Sequence, residues 1–221
     1  MLLFLRPFVR LITFSRLMKY RFFLLSPARV TGKRAQMLFS SSASFDLARR
    51  IRGSGAPLGE VFSFMSGLYF RGKLDYANRF ARPYRRLPGV FVITSNRGLI
   101  PAATVVRPED LLSFGEVPID LRDARYLQAL TRSAIKLSDK FPQNSEIVLL
   151  GSISTKKYAE LLERIFGSRL KFPAEFIGRG DMSRGGLLLR SVAANRELEY
   201  IPVAGAVRHG KRPPKLPPRK C

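Results

Sequence analysis

The sequence predicts an α/β protein, a three-layer sandwich with a mostly parallel central sheet. Three observations carry that prediction. Short apolar runs of strand length occur at Phe22 to Leu25, Val90 to Thr94 and Glu146 to Ser152, each closed by turn residues. Longer segments between them repeat apolar residues at three- and four-residue spacing. Buried strands alternating with helices are the pattern of a sheet covered by helices and at least partly parallel.

The elements follow in order. The first strand, Phe22 to Leu25, is aromatic-rich and stops at Ser26-Pro27. "RVTGKRAQML" is a glycine turn with Lys33 and Arg34 opening a helix. Residues 40 to 57 are Ser/Ala-rich, with a short helix around Asp46 to Ile51 and a loop at "RGSGAP". Glu60 to Ala81 reads as mostly helical. Val61, Phe64, Met65 and Leu68 share one face, which Phe70, Leu74, Ala77 and Ala81 continue beyond Gly67. Gly72 inside that helix costs about 1 kcal/mol and suggests a close contact there. After the second strand, Val90 to Thr94, "SNRGLIPAATVV" reads as a loop. "RPEDLLSF" puts Pro108 at a helix start with Glu109 and Asp110 in its first turn, where the helix dipole favours acids. Asp123 to Phe141 carries a stripe of Tyr126, Ala129, Leu130, Ala134 and Leu137. The third strand ends at Ser152, and helices are expected over Thr155 to Phe166 and Met182 to Ala194. A last strand runs from Leu198 to Val203.

A chain of 221 residues with 46% apolar and 25% charged residues suits one globular domain with extensions. We place the domain at 18–207. Residues 1–17 form an apolar, Arg-rich, acid-free extension, read as an upstream misread start before Met18 or as a targeting segment. Residues 208–221, basic and proline-rich without acids, read as a disordered tail. The expected location is cytoplasmic, or an organelle if 1–17 is a presequence. No window supplies the ~20 predominantly apolar residues of a stable membrane span.

Charge is the departure from the ordinary. Thirty-nine Lys+Arg against 16 Asp+Glu give a net charge of +23. Such a field attracts polyanions, nucleic acid first. One Cys (Cys221) and one His (His209) cannot build a metal site of the usual ligands, so no metal and no cofactor are expected. Without Trp, base stacking falls to Tyr, Phe or Arg.

Ligands of open α/β sheets sit outside the carboxyl ends of the strands. After the first strand come Ser26, Lys33 and Arg34; after the second, Ser95, Asn96, Arg97 and Gly98; after the third, Gly151, Ser152, Ser154, Thr155, Lys156 and Lys157. Small or hydroxyl residues beside a cation recur at all three ends. "LLGSISTKKY" has the logic of a phosphate-binding turn, or of a plain strand-turn-helix capped by Ser154 or Thr155, and it is not a Walker A motif. "GRGDMSRGGLLLR" repeats that logic. Gly178 and Gly180 permit left-handed backbone, Asp181 or Ser183 can cap a helix, and Arg179 and Arg184 can fork onto a phosphate, with Gly185 alongside. "GLYFRGKLDYANRF" interleaves Arg71, Lys73, Asp75 and Arg79 with Tyr69, Phe70 and Tyr76. That suits nucleic-acid contact, and it equally suits a core stripe with a solvated face, the reading favoured except at Tyr69 and Arg71.

Five segments, "FLLSPARVTGKRAQML", "LYFRGKLDYANRFA", "VFVITSNRGLIPAATVVRPEDLL", "EIVLLGS…KY" and "FIGRGDMSRGGLLLR", together resemble an uncharacterised bacterial α/β family. That family is similar to the YaaA peroxide-stress protein and to the auxiliary domain of archaeosine synthase. The matching pieces are Ser26-Pro27-Ala28 after the first strand, the helix from Leu68 to Ala77, and the strand-loop from Ile93 to Pro101. The resemblance spans about 22–203. It implies a uracil-glycosylase-like fold and an association with nucleic acids or modified nucleobases, without implying an activity. The Cys-Ser-x-Lys turn of archaeosine synthase is missing, so that chemistry is not carried over.

The expected function is binding of nucleic acid or a nucleotide, with action on a nucleobase left open. The ligand-binding candidates are Ser26, Lys33, Arg34, Tyr69, Arg71, Arg97, Gly98, Gly151, Ser152, Thr155, Lys156, Arg179, Arg184 and Gly185. Asp181 is the candidate for activating water, and Tyr69 for base stacking. The alternatives are a non-catalytic basic nucleic-acid-binding protein and a small-molecule nucleotide enzyme.

Overall fold

The computed structural model describes residues 19–154, 157–214 and 216. The expectations for 1–17, for Thr155 and Lys156 and for the end of the tail lie outside the described residues.

The protein is α/β. Five strands run β1 (Arg21–Leu25), β3 (Val90–Thr94), β4 (Gly98–Pro101), β6 (Glu146–Leu150) and β7 (Leu170–Pro173), and β8 (Tyr200–Pro202) completes one mixed sheet in the order β4-β3-β1-β6-β7-β8. Pairings β1–β3, β1–β6 and β6–β7 are parallel; β3–β4 and β7–β8 are antiparallel. A parallel core is thus flanked by an antiparallel strand on each side. β2 (Ala56–Pro57) and β5 (Val105–Val106) pair separately.

Helices cover both faces, and β1 shows why. Alternate residues of a strand point to opposite faces. Phe22 stacks on Phe141, at the end of α6 (Ala124–Lys140), which in turn meets Phe166 of α7 (Ala159–Phe166). Phe23 meets Tyr76 of α4 (Leu68–Phe80) edge to face on the other side. All five residues of β1 are buried, so an unbroken apolar run is what this central position demands.

The expected helix over 60–81 is two helices, α3 (Leu58–Ser66) and α4. They break at Gly67, whose φ of +65° favours glycine. Shorter helices α1 (Lys33–Phe39), α2 (Asp46–Arg52) and α5 (Pro108–Gly115) fall where the sequence put them. α8 (Asp181–Ala193) crosses α4 at close range: a Cβ on Gly185 would stand 2.8 Å from Tyr69 Cα, and one on Gly72 would stand 2.7 Å from the Gly185 carbonyl oxygen.

Three expectations need correction. "SNRGLIPAATVV" is not all loop: Gly98 to Pro101 folds back as β4, beginning at Gly98 with φ +67°. Leu99 N–H donates to Ser133 Oγ of α6 at 2.8 Å, which ties this edge strand to the helix beneath. The helix expected from Thr155 begins at Ala159 with Tyr158 as its cap residue, so Ser154 is not its cap. The helix after the glycine turn starts at Asp181 with Gly180 as its cap residue and no side-chain cap bond, so neither Asp181 nor Ser183 caps it. The strand between α7 and α8, β7, was not anticipated.

Candidate functional site

A cleft of about 790 Å³ opens at the carboxyl ends of β1, β3 and β6. Its walls follow from topology. Parallel strands deliver their C-terminal loops to one edge of the sheet, and these loops diverge there. Ser26 to Thr31 follow β1, Thr94 and Ser95 end β3, and Ser152, Lys157 and Tyr158 follow β6. Phe114 to Asp120 close one side, and Asp181 at the start of α8 closes another. Hydroxyls are frequent in the lining, Arg29 and Lys157 bring cations, and Asp120 and Asp181 bring carboxylates. Asp120 is held down to about 2 by the guanidinium of Arg122, so it stays ionised.

The floor of the cleft holds an arrangement that the sequence reading missed. Lys73, on α4, is 1% exposed. Its Nζ donates to the Ser26 carbonyl oxygen at 2.6 Å and to Ser26 Oγ at 2.8 Å. The ring of Tyr69 lies 4.5 Å from that nitrogen and the ring of Phe70 4.6 Å. No carboxylate among the described residues forms an ion pair with it. Burial penalises the ammonium form and pulls its pKa down to about 7; the Asp181 carboxylate opposes that and the Arg184 guanidinium adds to it. Beside Ser26 stands the hydroxyl of Tyr158, which accepts the Ser152 N–H at 3.1 Å. Burial pushes this phenol up, so it remains a donor. Gly151 makes this crowding feasible: a Cβ there would lie 2.8 Å from the Tyr158 hydroxyl and 3.0 Å from Ser26 Cβ.

Among the predicted residues, Ser26, Ser152 and Asp181 line the cleft, and Gly151 lies behind its floor. The other described ones lie elsewhere. Tyr69 is 7% exposed and covers Lys73 from within, so its ring is no open stacking platform. Lys33 and Arg71 are exposed on α1 and α4. Arg34 reaches the Phe64 carbonyl, 3.2 Å away. Arg97 pairs with Asp110 and lies over the Phe114 ring. Gly98 packs against α6, where a Cβ would meet the Ala129 carbonyl. Arg179 donates to Ser183 Oγ and to the Pro214 carbonyl. Arg184 donates to the Phe176 carbonyl at 3.0 Å and stands 3.7 Å from Asp181. Gly185 serves the helix crossing.

The signal for Lys73 was present. It follows Tyr69 by four residues and precedes Ala77 by four, inside the apolar stripe of α4 rather than opposite it. Reading the cations of "GLYFRGKLDYANRF" as one group obscured that. Among the described residues no cluster of three His, Cys, Asp or Glu stands ready for a metal ion. No helix there is long and apolar enough to cross a membrane. Comparison with family models, with curated proteins and with solved structures finds no match to this chain.

Proposed function

We infer that the protein binds a nucleotide or a nucleotide unit of a nucleic acid in the cleft at the carboxyl ends of β1, β3 and β6. The observation that carries this reading is the cleft's position and lining. It lies where open α/β sheets hold ligands, with hydroxyls from Ser26 and Ser152 and cations from Arg29 and Lys157, in a chain of net charge +23. Hydroxyls and cations are the groups that hold phosphate and ribose, and Asp120 or Asp181 can accept from a base edge. The uracil-glycosylase-like fold belongs to this proposal; a parallel β3-β1-β6-β7 core with helices on both faces supports it. So does the resemblance to the YaaA-like family.

The test is a thermal-shift panel of nucleobases, nucleotides, and single- and double-stranded DNA and RNA at low and high salt. A ligand at 100 times its Kd adds about 2.7 kcal/mol of stability, on the order of 5–10 °C for a domain of this size. Stabilisation by one mononucleotide that survives high salt, and disappears in Arg29→Glu or Lys157→Glu, is the expected result. Stabilisation by polymers alone, lost with salt along a log–log slope near −0.9 per phosphate, would overturn it. The many exposed cations would then make this a basic nucleic-acid-binding protein with an idle cleft.

A further inference from the structure

Lys73 has chemistry that nucleotide binding does not use. A buried amine without a carboxylate is costly to keep, and a methionine would fill the same space. Its two hydrogen-bond acceptors are both atoms of Ser26, the residue that reaches the cleft. The amine itself is 1% exposed, so a bound molecule meets it only at the reacting Ser26 Oγ, and Ser26 is the member of the pair that lines the cleft, beside the Tyr158 hydroxyl.

We propose that Ser26 is a nucleophile and Lys73 its general base, together forming an acyl-transfer centre for an ester or thioester bound in the cleft. A serine hydroxyl is a weak nucleophile until an adjacent base takes its proton, and a lysine can be that base if its amine is neutral. At Lys73 one N–H donates to the Ser26 carbonyl, which aims the lone pair of the neutral amine at Ser26 Oγ, 2.8 Å away. The step balances within these groups. Ser26 Oγ bonds to the acyl carbon as its proton passes to Lys73 Nζ. The bond from that carbon to the leaving oxygen or sulfur breaks, and Nζ returns the proton to the leaving atom. Water then attacks the acyl-serine, giving one proton to Nζ, which passes it to Ser26 Oγ, and the acid leaves. The Tyr158 hydroxyl accepts from Ser152 N–H and lies within hydrogen-bond reach of Ser26, so its own hydrogen can turn to the oxyanion that forms beside Ser26 Oγ. The groups facing the amine are Ser26 from β1, Tyr69 from its own helix, and Asp181 and Arg184 from α8, with Tyr158 beside Ser26. A lysine amine that titrates near neutrality supplies enough neutral base at pH 8. The proposal stands apart from the nucleotide reading, and its test uses no nucleotide.

The experiment treats the full chain with a fluorophosphonate, which forms an Oγ–P bond with loss of fluoride. The adduct is mapped by mass spectrometry, and the rate of labelling is followed from pH 5 to 9. We expect a single adduct on Ser26. Its rate should climb about tenfold per pH unit below 7 and level off above about 8, as the neutral amine takes over. Ser26→Ala should abolish it, and Lys73→Met should slow it at pH 8 by about 100-fold or more with an intact unfolding transition. No adduct, an adduct on another residue, or an adduct on Ser26 at a rate indifferent to pH would each overturn the proposal. The mapping and the pH profile need no variant, so a fold lost in Lys73→Met would not hide the answer.

Discussion

The two ends of β1 each bury a cation, and they treat it in opposite ways. At the entry of the strand, Arg21 is 8% exposed. It donates to Glu146 through Nη2 at 2.6 Å and to Glu197 through Nη1, and its guanidinium lies 4.9 Å over the Tyr200 ring. Lys171 adds 2.7 Å to the other oxygen of Glu146. Burial opposes the charge of Arg21, but bonds to the two carboxylates outweigh it and raise its pKa. At the exit, Lys73 reaches only Ser26, and burial wins. A buried cation with carboxylates around it closes a sheet end. One without them is left titratable, beside a cleft. That difference is what directs our proposal to the carboxyl end of the sheet.

The largest expected loss of stability comes from breaking the paired end. Glu146→Ala leaves the buried Arg21 and the half-buried Lys171 without their shared acceptor. We expect a loss of about 3 kcal/mol, seen as a fall of very roughly 6–12 °C in Tm. The loss has a pH signature. Burial tends to raise the Glu146 pKa, but the bonds from Lys171 and Arg21 bring it below 4.5. A carboxylate depressed by folding stabilises fully above its unfolded pKa and loses that contribution as pH falls through the folded value. The gap between wild type and Glu146→Ala in chemical denaturation should therefore shrink below about pH 4.5.

The unpaired end predicts the reverse. Lys73 has a folded pKa of about 7 against 10.5 unfolded, so between those values the unfolded chain holds more protons. Stability from this group then rises with pH across that window, with a slope approaching 1.4 kcal/mol per pH unit, and its cost is full below 7. Lys73→Met removes that slope. The variant should gain on wild type below pH 7, and its advantage should vanish towards 10.5. A variant less stable than wild type at pH 6 would mean the amine stabilises the fold as a cation.

Smaller again is the helix crossing that aims Lys73. Gly185→Ala puts a Cβ 2.8 Å from Tyr69 Cα and 2.9 Å from the Leu68 carbonyl, both backbone. About 1–3 kcal/mol of overpacking should follow, read by denaturant midpoint. Gly151→Ala meets a side-chain hydroxyl and the Ser26 Cβ, which can shift by a few tenths of an ångström. It should cost about 1 kcal/mol or less, yet move Ser26 and slow its labelling disproportionately.

Much of this architecture was legible in the sequence, for physical reasons. β1, β3 and β6 are buried on both faces, so each had to be a continuous apolar run. α6 announced itself through Tyr126, Leu130 and Ala134 and through Asp123, whose carboxylate accepts Arg125 N–H. Two shorter strands were harder. β4 opens on a glycine and ends on a proline, and β7 is only four residues, so pairing in three dimensions makes them strands. The rule about carboxyl ends found the cleft through Ser26 and Ser152. It also drew in Arg34, Arg97, Arg179 and Arg184, which bond instead to backbone carbonyls, a hydroxyl or a carboxylate. Proximity in sequence to a strand end does not say which way a long side chain turns. Lys73 was missed because its role depends on α4 lying under β1, a contact between residues 47 positions apart.

One measurement tests the central claim most directly. Lysine labelled with carbon-13 at Cε reports amine titration by NMR, and Lys73→Met assigns the resonance. The account predicts a lysine signal that titrates near pH 7 and is lost in Lys73→Met. If the signal assigned to Lys73 titrates near 10.5 instead, Lys73 is a charged structural donor and the cleft has no base at its floor.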